Sequence, residues 1–130
     1  MASSAALRIV ALDESEVRNG VDVGTVANLA RVLEMPMPAL LEWLQIAPRT
    51  WARRKQAGVL DLLESDRTAR LTRLIARAAD VTGGTATARV WLTTPSRALG
   101  RRTPLDVAGT EVGADSVFAL LGRLDHGVFT

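Results

Sequence analysis

A chain of 130 residues, 48% apolar and 23% charged, can build one domain or two small helical subdomains sharing a core, and is too apolar for disorder to be expected. It has no cysteine and a single histidine, His126, which excludes disulfides, thiolate chemistry and a histidine-rich metal centre within one chain. The formal net charge is only +2, yet Ala47–Gly58 holds Arg49, Arg53, Arg54 and Lys55 with no acid, while Thr103–Thr130 holds Asp106, Glu111, Asp115 and Asp125 against Arg123 alone. A polyanion is expected at the first segment and a different partner at the second.

Residues 1–21 show no sustained period and are expected to be loose. Their start is too polar for a signal peptide, and no apolar run reaches membrane-spanning length, so a cytoplasmic setting without membrane contact is expected. From Val23 to Leu33, Val26, Leu29, Ala30 and Leu33 fall on one helix stripe. Pro36 and Pro38 stop that helix, and Pro38 opens PALLEWL. After the turn QIA, Pro48 opens PRTWARRKQ and Gly58 closes it.

A short helix, a turn and a basic helix make a helix-turn-helix. On a helical wheel Arg49, Ala52, Arg53 and Gln56 share one face and Trp51 points away, as a core anchor. Arginine forks suit guanine edges, Gln56 suits adenine, and Arg54 and Lys55 suit phosphates; the bland alternative is a solvated basic face. Gln45 stands in the turn where glycine is often found.

Asp61 and Glu64 form a capping-box start for the longest helix, running to about Val81 with Leu71, Leu74, Ile75 and Ala78 inward. Arg70, Arg73 and Arg77 line another face, read as a solvated stripe in preference to an extension of a DNA surface. Thr82-Gly83-Gly84 turns the chain into a short helix, Thr85–Thr93, with Trp91 and Leu92 as core residues. Thr103 and Pro104 start another short helix that Gly109 closes. Thr110 caps a final helix to about Leu124, whose stripe is Val117, Leu120, Leu121 and Leu124. No strand alternation appears, so the fold class is all-α. An enzyme is poorly supported, for there is no phosphate-cradling glycine loop and no carboxylate pair beyond helix caps. No catalytic residue, metal or cofactor is expected.

The ordered set RT-x-x-RR-K, ESDR, WL-x-x-P-x-x-AL-G, R-TPL and LLGRLDHGVF resembles the antitoxins of the Xre/MbcA/ParS type, from about residue 25 onward. The chain departs from the usual pattern at Trp51, at Gln45 and at the slender Val107-Ala108-Gly109. Beyond the loose segment over 1–21, the resemblance implies an Xre-like helix-turn-helix domain over 22–60 packed on a toxin-binding helical domain over 61–130. It implies a type II antitoxin that blocks the active site of a RES-domain, NAD-consuming toxin with its C-terminal region, dimerises, and represses its own operon by binding operator DNA. Carried over by position, Arg49, Thr50, Arg53, Arg54, Lys55 and, from the wheel, Gln56 form the DNA-facing set; Leu121, Arg123, Asp125, His126, Gly127, Val128 and Phe129 form the toxin-facing set. A stand-alone transcription regulator that has lost its toxin is the alternative.

Overall fold

The computed structural model describes residues 9–127, and all of its regular elements there are helical. In chain order these are α1 (Glu14–Asn19), α2 (Val23–Leu33), α3 (Met37–Leu44), α4 (Pro48–Ala57), α5 (Leu62–Thr82), α6 (Thr85–Leu92), α7 (Pro104–Val107) and α8 (Glu111–Asp125), with a 3-10 turn at Arg97–Leu99. Extended pairing among the described residues is confined to two isolated bridges, Asp22 with Val59 and Ser96 with Arg102. No described helix is long and apolar enough to cross a membrane. The chain divides into two compact units, Met1–Arg73 and Leu74–Thr130, and the division falls inside α5.

The punctuation seen in the sequence sets most helix ends. Pro36 and Ala47 precede α3 and α4 without side-chain caps, and proline in the first turn supplies the helical φ in both. Asp61 and Glu64 close a reciprocal box at α5: Glu64 N–H donates to Asp61 Oδ1 at 2.8 Å and Asp61 N–H to Glu64 Oε1 at 3.0 Å. Thr103 and Thr110 cap α7 and α8. The segment expected to be loose through residue 21 contains α1, held by a capping box between Asp13 and Glu16. Six residues are too few to show a period, so only that box could have announced the helix.

In the first unit Val26, Leu29, Leu40, Leu44 and Leu71 are fully buried, joined by Val21, Leu33, Ile46 and Leu60 at the ends of elements. Three buried hydroxyls of α5 are satisfied locally or by the incoming chain. Ser65 Oγ accepts from Val21 N–H at 2.9 Å, Thr68 Oγ1 donates to Glu64 O at 2.8 Å, and Thr72 Oγ1 accepts from Leu12 N–H at 3.1 Å. The exit of α4 is tied to the entry of α2 by Val23 N–H to Gly58 O (3.1 Å) and Leu60 N–H to Val21 O (2.9 Å).

In the second unit Leu74, Ile75, Ala78, Ala88, Leu92, Ala108, Val117 and Leu121 form the core. α8 approaches α7 so closely that a Cβ on Gly113 would lie inside the van der Waals envelope of the Val107 carbonyl. Only glycine fits there.

Two of the three arginines in the α5 row are engaged, and one stands in solvent as a stripe residue would. Arg70 lies over the Trp43 ring, 5.4 Å from its centroid, and Arg77 Nη2 meets Asp125 Oδ2 at 3.1 Å; Arg73 is exposed. A guanidinium gains more by covering an aromatic face or a carboxylate than by standing in water with its stem exposed.

Candidate nucleic-acid and toxin interfaces

The first site is the α3–α4 pair. α3 ends at Leu44, and Gln45 adopts the left-handed conformation at φ 59°, ψ 43°. Its N–H donates to Glu42 O at 3.1 Å, and Ile46 N–H donates to Leu41 O at 2.9 Å, which satisfies the last carbonyls and buries Ile46. The turn thus has the glycine geometry without the glycine. A non-glycine residue there costs about 1 kcal/mol. Gln45→Gly is expected to stabilise the protein by about 0.5 kcal/mol, the strain relief exceeding the added unfolded-chain entropy; a urea melt that shows destabilisation would refute this.

Trp51 is 9% exposed and anchors α4 inward. Arg49, Ala52, Arg53, Lys55 and Gln56 are exposed, and Thr50 is half-buried. The expected face therefore exists as one outward surface, with Arg49, Arg53 and Gln56 at helical spacing. Arg54 is placed differently. Its guanidinium reaches Glu64 at 2.7 and 3.3 Å and Asp61 at 3.2 Å. The hydrogen bond to Glu64, against an opposing effect of burial, makes this guanidinium hold its proton more tightly than an ordinary arginine. Sequence reasoning found the Asp61–Glu64 box but missed its second role toward Arg54. Two acids placed a turn beyond a basic helix and its Gly58 stop were the available signal. A cleft of about 680 Å³ opens between α3 and α4 over Trp51; its charged lining is Glu42 and Lys55.

The second site is the end of α8. Leu121 is fully buried in its unit, so it supports the helix from within. Arg123 is exposed, and Asp125 is exposed with one oxygen on Arg77. The His126 Nδ1 lies 2.7 Å from Gly122 O, which caps the last turn when that nitrogen carries the proton. Gly127 turns the backbone at φ 74°, a conformation that glycine takes freely. Val128 and Phe129 lie outside the described residues. No group of three or more metal-ligating side chains occurs among the described residues.

Comparison with known proteins matches the two segments to antitoxin domains. Residues 14–73 match the antitoxin Xre-like helix-turn-helix domain, and residues 77–127 match the antitoxin Xre/MbcA/ParS C-terminal toxin-binding domain. A protein named antitoxin Xre from Yersinia enterocolitica is 34% identical over 116 residues, covering 88% of this chain and 78% of the relative. Another antitoxin Xre, from Photorhabdus laumondii, is 38% identical over 82 residues, 62% of this chain and 55% of that protein. Among solved structures, a chain of the M. tuberculosis MbcT-MbcA toxin-antitoxin complex superposes with a TM-score of 0.59 at 26% identity, covering 82% of this chain and 96% of its own length. The chain belongs to the Xre/MbcA/ParS antitoxin family and is the antitoxin of a toxin-antitoxin system, with an Xre-like helix-turn-helix domain followed by a toxin-binding domain.

Proposed function

We propose that this antitoxin neutralises a RES-domain, NAD-degrading toxin by laying its C-terminal end across the toxin's active site, and that it represses its own operon as a dimer through α3 and α4. The observation that carries the first half is the end of α8 within the toxin-binding match, where Arg123, Asp125, His126 and Gly127 are all exposed. A site that accepts a dinucleotide holds cationic groups for phosphate and flat apolar walls for rings. Asp125 has the charge to meet the former, and Val128 and Phe129 the shape to fill the latter. Gly127 allows the chain to turn into a cleft, and His126 serves as the cap that ends α8. Leu121 acts through the fold and not by contact.

The second half is supported by the exposed row Arg49, Arg53, Gln56 with Lys55 beside it, in a segment free of acids. Thr50 is available to a phosphate from the same helix. The proposed boundaries are 22–60 for the elements that read DNA and 61–130 for the toxin binder, with the first half of α5, which the helix-turn-helix match includes to residue 73, serving to support the reader, in a cytoplasmic protein. The test is NAD consumption by a purified RES-domain toxin, taken from the reading frame next to this one if it encodes such a protein. The full chain should suppress consumption at equimolar ratio, and a chain lacking His126–Thr130 should leave it running. Full suppression by the truncated chain would remove the tail from the mechanism.

A further inference from the structure

The face of α4 that carries Arg49 and Arg53 is useful to a nucleic acid only if the helix is held in one rotation about its own axis. Trp51 gives α4 a pivot, and the backbone tie at Gly58 holds its exit. Arg54 adds a third attachment, to the first turn of α5. We propose that Arg54 is a positioning residue that does not touch DNA: with Glu64 and Asp61 it locks the roll of α4 against α5, so that Arg49, Arg53 and Gln56 face one groove together. This rests on the DNA-binding reading above.

The geometry supports a lock. Arg54 Nε donates to Glu64 Oε1 at 2.7 Å, and Nη2 donates to Glu64 Oε2 at 3.3 Å and to Asp61 Oδ2 at 3.2 Å. A two-pronged contact between planar groups fixes orientation as well as distance, which a lysine ammonium does not. The far side of the lock is itself immobile. Glu64 is 6% exposed, and its Oε1 also accepts the Asp61 N–H at 3.0 Å. The same two carboxylates therefore start α5 and hold α4. The Arg54 side chain is 24% exposed, while Arg53 and Lys55 on either side of it are exposed. For Arg54 to reach a phosphate it would have to leave a buried carboxylate without its cation, a costly exchange.

The experiment titrates the full chain and its Arg54→Ala, Arg54→Lys and Glu64→Gln variants with a duplex from the region upstream of its own reading frame, across a range of salt. Positioning predicts that all three variants weaken binding about tenfold, because base-reading arginines are misaimed, with the dependence of log K on log salt unchanged. Glu64→Gln separates the possibilities by sign. It removes a negative charge near a polyanion and, if Arg54 were a phosphate contact, would leave affinity equal or higher. A phosphate role also predicts that Arg54→Lys stays close to wild type and that Arg54→Ala lowers the salt slope by about one.

Amide exchange without DNA supplies a second readout: faster exchange over Trp51–Gly58 in Glu64→Gln, unchanged in α2. If Arg54→Ala fails to fold, Glu64→Gln carries the test, since it keeps the shape of the capping side chain. Undiminished binding by Glu64→Gln, or a lowered slope in Arg54→Ala, overturns the inference and leaves the DNA-binding reading intact. No binding by the wild-type chain overturns both.

Discussion

Replacing Arg49 and Arg53 together by alanine is expected to lower affinity for the operator-bearing duplex about a hundredfold, as each base- or phosphate-directed arginine contributes about 1–3 kcal/mol. Both side chains are exposed and neither is held by a described ion pair, so the fold should not register their loss. Exposed substitutions of this kind shift stability by less than about 0.5 kcal/mol. Fluorescence anisotropy of a labelled duplex, run beside a thermal melt, checks both halves. An unchanged affinity would mean that α4 is not the reading helix. A large drop in melting temperature would mean that the face is structural.

Gly113→Ala is expected to be the most damaging single substitution in the second unit. The added methyl would collide with the backbone carbonyl of Val107, and would also crowd Thr110 Oγ1, the cap of α8. A backbone oxygen cannot swing aside as a flexible side chain does. Either α7 and α8 separate or the first turn of α8 unwinds, and in both cases Ala114 and Val117 lose part of their burial. The expected cost is about 3 kcal/mol, seen as a fall in melting temperature of roughly 10 °C or more. The same variant should lose toxin binding. A melt within about 2 °C of wild type would show that the α7–α8 contact relaxes without cost.

These expectations differ in how visible their grounds were in the sequence. Helices α2 to α5, α7 and α8 announced themselves because each has local punctuation: Pro36, Pro38 and Pro48, Gly58, the Asp61–Glu64 box, Thr103-Pro104 and Thr110. Trp51 was legible as an anchor because it falls opposite the arginines on a 3.6-residue wheel. The partners of Arg54, Arg70 and Arg77 were not, since they lie on other helices, and no local rule tells a basic side chain which acid or ring will be brought to it. The close approach at Gly113 was equally silent, as a mid-helix glycine in sequence looks like a weakness and not a fit. Leu121 shows two signals pulling apart. Periodicity placed it inside and family resemblance placed it at the partner, and within its unit it is fully buried. Val128 and Phe129, which the blocking proposal also uses, lie outside the described residues.

The tie between Val21 and Leu60 has a consequence for the route by which the first unit assembles. The two residues lie about forty positions apart, so their pairing closes a long loop whose entropy must be spent before anything is gained. Helical turns form within about a microsecond, well before such a closure in a folding chain. α4, ten residues long, is only marginally stable by itself, and its direction is set when the start of α2 and the first turn of α5 arrive together. A nascent or partly unfolded chain can still attract a polyanion loosely through charge. On the DNA-binding reading proposed above, sequence discrimination would belong to the completed fold alone, and binding of an operator would report that the whole first unit has been assembled.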